Sequence, residues 1–282
     1  MKEMRRMSDL SNLPELSSEY SLSQEQIKQF QEKGHLKLTG VASQEEVAVY
    51  RELIGEKVKE LNYHDKPVEE RDTYGKAFIQ ISNIWEKSAE IQRFVFARRF
   101  AKIAADLLGV DGVRIYHDQA LFKEPGGGIT PWHQDQIYWP VDTDNFVTMW
   151  MPLVPVSQDV GSMNFASGSH KYGYISKLAI SDESQKTLGQ YIEAKGLEVE
   201  NYGALEAGDA TWHYGWTLHS APGNPTSTMR EVMTIIYYAD DAKVLEPDSN
   251  ARKSDLKRWL PELSPGDLAA SKLNPIVYKK GM

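Results

Sequence analysis

Between about residue 113 and residue 239, short segments rich in β-branched and aromatic residues alternate with Gly and Pro turns. Such segments favour β-strands, and their spacing is typical of an antiparallel sandwich or jelly roll rather than of alternating strands and helices. The candidate strands are 113–123, 131–138, 145–154, 162–165, 210–219 and 230–239. The pattern therefore predicts a mainly β protein, and the residues before it predict flanking helices.

The region before residue 113 has helical patterns. Residues 23–33 and 43–61 each begin with Ser followed three positions later by Gln or Glu, which is the pattern of a capping box. Gly34 follows the first segment, and Gly109 follows a third helical stretch at 88–108. Glycine is a common stop signal for a helix. One apolar face of the second helix consists of Val47, Tyr50, Ile54 and Val58.

A chain of 282 residues is near the upper end of what one hydrophobic core serves, so we expect a single domain over 1–282. Its predicted parts are a polar tail at 1–20, a mainly helical part at 21–112, a jelly-roll core at 113–240 with a lid insertion at 175–205, and a C-terminal extension at 241–282.

The composition excludes several kinds of site and partner. The chain has no cysteine, so thiolate catalysis, iron–sulfur clusters and thiolate-bound zinc are excluded, and any metal must bind nitrogen and oxygen ligands. The net charge is -8 and the basic residues are scattered, so we expect no nucleic-acid partner. The sequence contains no apolar run of about 18 residues and no secretory signal pattern. We therefore expect no membrane association and a cytoplasmic location.

The segment Trp132-His133-Gln134-Asp135 carries the most chemical information. On a strand, residues two positions apart point to the same face, so His133 and Asp135 are expected to point inward together. They supply two ligands of a facial triad of two histidines and one carboxylate, which leaves open coordination sites for substrates. The tripeptide His133-Gln134-Asp135 alone more often marks an ordinary histidine beside a solvated carboxylate. Further residues must therefore decide whether it binds a metal.

His219 and Arg230 are those further residues. His219 ends an aromatic segment that we predict to be one strand, 210–219, lying opposite the strand of His133. The turn Pro222-Gly223-Asn224-Pro225 follows, and a hairpin there brings Arg230 back towards the metal. A guanidinium group matches a carboxylate with two parallel donors, which suits the distal carboxylate of 2-oxoglutarate.

Together these features resemble the phytanoyl-CoA dioxygenase family of iron(II)/2-oxoglutarate oxygenases, from about residue 22 to residue 240. The matching motifs are Leu22 to Gln26, Gly34-His35-Leu36, Pro131 to Asp135, Gly161 to Phe165, Gly168-Ser169-His170, His219, Asn224 and Arg230. The resemblance implies a double-stranded β-helix, a jelly roll of the cupin type. It also implies Fe(II) as cofactor, 2-oxoglutarate and O2 as co-substrates, and polar or aromatic contacts to 2-oxoglutarate from Gln119, Thr130 and Trp150.

Other residues have two or more interpretations. Tyr138 and Trp139, like Trp212 and Trp216, either line an aromatic substrate cavity or belong to the core. His213 lines the substrate pocket, competes with His219 as third ligand, or is an ordinary buried histidine. His117-Asp118 is discounted as a ligand pair because adjacent strand residues face opposite ways.

Three further residues were given no functional role. Lys123, at a strand end, is expected to be solvated. We assign no role to His35 and His64, which lie outside the predicted barrel.

The resemblance implies an oxygenase that hydroxylates a C–H bond of a small-molecule or natural-product substrate. Desaturation, epoxidation, cyclisation and epimerisation are alternative outcomes of the same chemistry. A metal-dependent hydrolase or isomerase on a cupin-like barrel and a non-catalytic relative are alternative functions. We expect specificity to lie in residues 63–80, 138–146, 175–205 and the C-terminal tail, but neither the substrate nor the oligomeric state can be inferred from the sequence.

Overall fold

The computed structural model describes residues 10–282 of the chain. The helices α1 to α7 are Gln24–Lys33, Gln44–Leu61, Thr73–Ala77, Ala89–Val95, Arg98–Leu108, Asp182–Lys195 and Asn250–Trp259. The strands β1 to β11 are His35–Leu38, Ile79–Ser82, Gly112–Phe122, Thr130–His133, Phe146–Pro152, Asn164–Ala166, Val199–Asn201, Ala210–Tyr214, His219–Ala221, Val232–Ala239 and Ile276–Lys279. Within residues 10–282, no helix has both the length and the apolar character needed to cross a membrane.

The first two predicted helices are confirmed together with their caps. The hydroxyl of Ser23 accepts a hydrogen bond from the backbone N–H of Gln26 at 3.1 Å, and the Gln26 side chain accepts one from the N–H of Ser23 at 2.8 Å. Helix α1 ends at Gly34, whose φ of 84° lies in the left-handed region that favours glycine. The stretch 88–108 is two helices rather than one, because Ala97 leaves the helical region with a ψ of 121°.

Two antiparallel sheets form the predicted double-stranded β-helix, which confirms the fold class. The larger sheet has the order β1-β8-β5-β10-β3-β11, and β2 also pairs with β3. The smaller sheet has the order β4-β9-β6-β7. A cavity lies between the two sheets and is lined by residues of both.

Strand β5 shows how the larger sheet separates the core from the cavity. Val147, Met149 and Met151 face outward into an apolar core that includes residues of α2, α4 and α5. Thr148 and Trp150 alternate with them and line the cavity. The two-residue period of a strand therefore directs apolar side chains to the helical layer and functional side chains to the interior.

Two strand predictions were wrong in their extent. The segment 131–138 is a strand only as far as His133, and Asp135–Tyr138 forms a short 3-10 turn. The segment 210–219 is two strands in different sheets, β8 in the larger and β9 in the smaller. The residues between them, Gly215 to Leu218, form the crossing from one sheet to the other. The reason is that closing a jelly roll requires chain segments to change sheets at a turn or bend.

The ends of the described chain pack on the barrel. Leu16 is buried, and the hydroxyl of Tyr50 on α2 donates to the carbonyl of Pro14. Residues 1–9 of the predicted tail lie outside the described residues. At the other end, β11 adds an edge strand to the larger sheet, and α7 packs near the short turn that starts at Asp135. The insertion at 175–205 contains α6 and β7.

Candidate metal centre and its cavity

Strands β4 and β9 place His133 and His219 side by side. The two residues are direct partners in the antiparallel register of the smaller sheet, and their ring centroids lie 4.1 Å apart. Both side chains are buried at 5% exposure and line the cavity. The pairing of the two strands, rather than one continuous aromatic strand, therefore brings the distal histidine to the first.

Asp135 completes a compact group of three donors. Gln134 keeps an extended backbone beyond the end of β4, with φ −118° and ψ 131°, so Asp135 still points to the same side as His133. Its Oδ1 atom lies 3.5 Å from Nε2 of His133 and 3.7 Å from Nε2 of His219. The potential ligand atoms of the three residues all lie within 4.8 Å of one another.

Each of the two histidines is oriented by a backbone carbonyl two residues before it. Nδ1 of His133 lies 2.7 Å from the carbonyl oxygen of Pro131, and Nδ1 of His219 lies 2.9 Å from that of Thr217. A carbonyl oxygen only accepts hydrogen bonds, so each Nδ1 carries the proton and each Nε2 presents its lone pair to Asp135 and the space beside it. A hydrogen bond from the ring nitrogen that does not bind the metal fixes the tautomer of a metal-binding histidine.

The second carboxylate oxygen of Asp135 has its own donors. Oδ2 accepts a hydrogen bond from the Thr148 hydroxyl at 3.2 Å and lies 3.3 Å from Nε2 of His213. Burial alone acts to raise the pKa of Asp135, but the neighbouring histidines, His219, His133 and His213, together hold it well below its usual range. The carboxyl group is therefore ionised.

The protonation states suit a metal. Burial, together with His133 and His213, holds the pKa of His219 well below its ordinary value, so this ring is neutral. Neutral imidazoles and an ionised carboxylate are the forms in which these residues bind metals. Two nitrogen donors and one oxygen donor with free space on the cavity side fit a non-haem Fe(II) site.

Arg230 is a buried cation without a carboxylate partner among residues 10–282. It is 2% exposed and lines the same cavity. One terminal nitrogen donates to the carbonyl of Gly161 at 2.7 Å, Nε has no hydrogen-bond partner, and the guanidinium carbon lies 5.4 Å from the ring centroid of Trp150. Burial lowers the pKa of Arg230 to about 9. An unpaired buried guanidinium is costly unless an anionic ligand compensates it.

Lys123 is a second buried basic residue next to Arg230, and the expectation that it is solvated was wrong. The backbones of the two residues exchange two hydrogen bonds of 2.9 Å. The ammonium group donates to the carbonyl of Gly128 and lies 3.4 Å from the hydroxyl of Thr130. Burial and the charge of Arg230 lower the pKa of Lys123 to about 6. Residues 126–128, all glycines, fold over the Lys123 side chain, so its burial is not evident from its place at a strand end.

The cavity has a volume of about 420 Å³ and collects most of the predicted site residues. Besides the three donors and Arg230, the predicted residues that line it are Gln119, Thr130, Tyr138, Trp139, Trp150 and His213. Trp212 instead packs in the outer core, stacked on Tyr237, and Trp216 donates to Asp144. Each segment expected to set specificity contributes lining residues, for example Tyr63, Tyr138, Ile180 and Trp259.

Several residues that line the cavity were not singled out from the sequence, and one histidine was misplaced. Asp255, Arg258 and Trp259 come from α7, which the Pro-rich polar tail obscured, although Ser249 caps it and residues 250–259 lack Pro and Gly. His117 lines the cavity while Asp118 points away and accepts from the N–H of Ile84, as the alternation of strand faces predicts. His35 lies in β1 of the barrel beside His213, correcting its placement outside.

Comparison with known proteins gives the same family as the sequence motifs. The model of the family described as phytanoyl-CoA dioxygenase (PhyH) matches residues 30–232. A probable alpha-ketoglutarate-dependent hypophosphite dioxygenase of Stutzerimonas stutzeri is 26% identical over 237 residues, covering 77% of this chain and 79% of the relative. A 1-deoxypentalenic acid 11-beta-hydroxylase of Streptomyces exfoliatus is 30% identical over 120 residues, or 40% of each chain.

A solved structure extends the likeness to the whole fold. The crystal structure of the non-heme alpha ketoglutarate dependent carbocyclase SnoK from nogalamycin biosynthesis superposes with a TM-score of 0.72 at 23% identity. The match covers 91% of this chain and 96% of that one.

Proposed function

The chain belongs to the phytanoyl-CoA dioxygenase family and is an iron(II)- and 2-oxoglutarate-dependent dioxygenase, and we propose that His133, Asp135 and His219 bind its iron. The observation that carries the assignment of the ligands is the convergence of their donor atoms within 4.8 Å at one side of the cavity. The three residues come from two adjacent strands and the turn that follows one of them. They leave the cavity side of the metal position open to a co-substrate and dioxygen.

We further propose that Arg230 binds the distal carboxylate of 2-oxoglutarate. Its guanidinium is buried in the cavity wall and fixed by Gly161 and by the face of Trp150. Thr130 lines the cavity nearby, and the ammonium of Lys123 lies on its hydroxyl oxygen. That contact leaves the Thr130 proton free to donate to a carboxylate. Gln119 is assigned a polar contact with the same co-substrate because it also lines this wall.

The protein side of the reaction is positioning. When bound, iron and 2-oxoglutarate supply oxygen activation coupled to oxidative decarboxylation of the co-substrate. The chain holds the two imidazoles in one tautomer, keeps Oδ1 of Asp135 free for the metal, and ties Oδ2 to Thr148. Aromatic side chains such as Tyr138 and Trp139 limit the water that reaches the reacting centre.

Hydroxylation of a C–H bond in a small organic substrate is the outcome we propose. A hydroxylase among the relatives supports it, and a carbocyclase among the structural neighbours shows that this fold also serves other oxidative outcomes. A metal-dependent hydrolase or isomerase has no use for a buried, unpaired Arg230. A non-catalytic binding protein has no need to preserve all three donors in one tautomeric arrangement.

The test is anaerobic addition of Fe(II) and 2-oxoglutarate, followed by the weak visible absorption of the iron chelate. We expect the band with the wild-type protein and its loss in His133→Ala, Asp135→Ala and His219→Ala. The matched control is His170→Ala, since His170 is outside the cavity and lies near the carbonyl of Gln31. A full band in any of the three ligand variants contradicts the assignment.

A further inference from the structure

We propose that the substrate of this enzyme carries an anionic group, of the carboxylate type, which binds to Arg258 at the outer part of the cavity. The inference rests on the proposed function and names the substrate class of the same site. It comes from α7, which no metal or co-substrate assignment uses.

Arg258 is a solvent-exposed cation on the cavity side of α7. It lines the cavity, and its guanidinium carbon lies 4.3 Å from the ring centroid of Trp259. No hydrogen bond or ion pair joins it to any other residue in the part of the chain that the structure describes. Stacking on Trp259 limits its rotation and leaves the planar donor edge available to a carboxylate.

The only other charged group that α7 contributes to this wall, Asp255, does not neutralise Arg258. It lies one turn earlier on α7, and its carboxylate accepts a hydrogen bond from the Tyr116 hydroxyl at 3.1 Å. Burial raises the pKa of Asp255 to about 7 against the opposing effects of Tyr116 and Arg258, so much of it is protonated near neutral pH. The outer cavity therefore has an excess of positive charge.

Aromatic rings line the cavity next to Arg258. Trp259 packs on His117 with ring centroids 4.8 Å apart, and His117 is 4% exposed. Burial lowers the pKa of His117 to about 3, so its ring is neutral, and Nδ1 has no hydrogen-bond partner among residues 10–282. A buried polar atom without a partner suggests a missing ligand atom nearby. The apolar body of an organic acid fits against these rings.

The charges of the deep and outer cavity are separate. Arg230 at the deep end serves 2-oxoglutarate under the proposed function, and Asp135 serves the metal. Arg258 remains the one cation of the cavity lining without such a role, as judged over residues 10–282. A neutral substrate leaves it unused, and a cationic substrate is repelled by it.

The test uses four carboxylic acids, benzoate, cinnamate, indole-3-acetate and cyclohexanecarboxylate, each beside its primary amide. Binding is measured as the thermal shift of the metal-free protein and of the protein loaded with Fe(II) and 2-oxoglutarate under nitrogen. Succinate release in air, above the rate without compound, is the second readout. The shift of the metal-free protein reports on Arg258 even if the proposed function fails.

We expect at least one acid to bind more tightly than its amide, and Arg258→Gln to weaken that acid about 10- to 100-fold, the usual effect of losing a charged hydrogen bond. Lys257→Gln is the matched control, because it makes the same charge change at the adjacent residue of α7, which is also exposed but does not line the cavity. Its binding of the acid should equal that of the wild type.

The Asp255→Asn variant tests whether the group bound beside Arg258 is an anion. It removes a negative charge beside Arg258 and should bind the acid at least as tightly as the wild type. If Asp255→Asn and Arg258→Gln weaken the acid alike, if amides equal acids throughout, or if Arg258→Gln has no effect, the proposal is overturned.

Discussion

The Nε2 atom of His213 lies 3.3 Å from Oδ2 of Asp135, while Oδ1 of the same carboxylate faces the two histidines of the proposed iron site. In the proposed iron site, one oxygen of this carboxylate would bind the metal while the other keeps a protein partner. Thr148 shares the protein side. We therefore propose that His213 positions a ligand rather than competing as one.

Removing the contact of His213 should weaken iron binding. We expect His213→Leu to raise the dissociation constant for Fe(II) about 10- to 100-fold, since partners that orient a metal ligand have effects of this size. His213→Gln keeps a donor and should recover part of the loss. The measurement is an anaerobic Fe(II) titration in the presence of 2-oxoglutarate. His170→Leu is the control, and equal affinities of His213→Leu and the wild type would remove this role.

His213 lines the cavity with His219, but not as members of one strand. The predicted strand over 210–219 places both residues on one face. The two residues actually belong to β8 and β9 in different sheets, and they meet because those sheets face each other across the cavity. Local alternation is readable from sequence, whereas the point at which a chain crosses between sheets depends on tertiary closure.

Other elements show the same division. The caps at Ser23 and Ser43 were predictable because the capping box is local. The burial of Lys123 was not, because it follows from the fold of residues 126–128 over the side chain. Helix α7 was also missed, because its stability comes from docking Trp259 and Leu260 against the barrel rather than from a strong sequence pattern.

Loss of the guanidinium group should act mainly on 2-oxoglutarate. We expect Arg230→Gln to raise the KM for 2-oxoglutarate roughly 100-fold, since a bidentate charged contact is lost, with a smaller effect on the affinity for Fe(II). The measurement is succinate formation over a range of 2-oxoglutarate concentrations. Arg252→Gln is the control, because Arg252 pairs with Asp248 and lies outside the cavity. An unchanged KM in Arg230→Gln would exclude the assigned role.

Replacing Lys123 should not lower the stability of the metal-free protein, but it should weaken the binding of 2-oxoglutarate. The Lys123 amine is buried beside Arg230, and burial with the charge of Arg230 lowers the pKa of Lys123 to about 6. Burying this polar amine without an anionic partner costs stability. Lys123→Met should leave the melting temperature of the metal-free protein equal or higher, yet weaken 2-oxoglutarate about tenfold by removing the group behind Thr130. Thermal unfolding and anaerobic titration measure the two effects. Lys171→Met, on an exposed residue, should change neither; a Lys123→Met variant that binds 2-oxoglutarate normally contradicts the expectation.

Asp118 should make stability depend on pH. Its side chain is fully buried on the side of β3 away from the cavity, and burial raises the pKa of Asp118 to about 8 despite hydrogen bonds from the N–H groups of Ile84 and Trp85. In the unfolded chain the ordinary value is 3.8. Between these values the folded protein holds a proton that the unfolded chain has released, so the contribution to stability is complete below the lower value and is lost as the pH rises through the higher one.

Asp118→Asn tests this dependence because the amide keeps an acceptor for Ile84 but does not titrate. We expect the melting temperature of the metal-free wild type to fall more steeply than that of the variant between about pH 5.5 and about pH 8.5. This interval lies mostly between the ordinary and the raised pKa of the carboxyl group. Other titrating groups, including Lys123 and Asp255, are the same in both proteins, so the difference between the two curves isolates Asp118. Asp159→Asn, at an exposed position, should follow the wild type. Parallel curves for Asp118→Asn and the wild type would mean that the buried carboxyl group is ionised throughout, with the two N–H groups outweighing the cost of its burial.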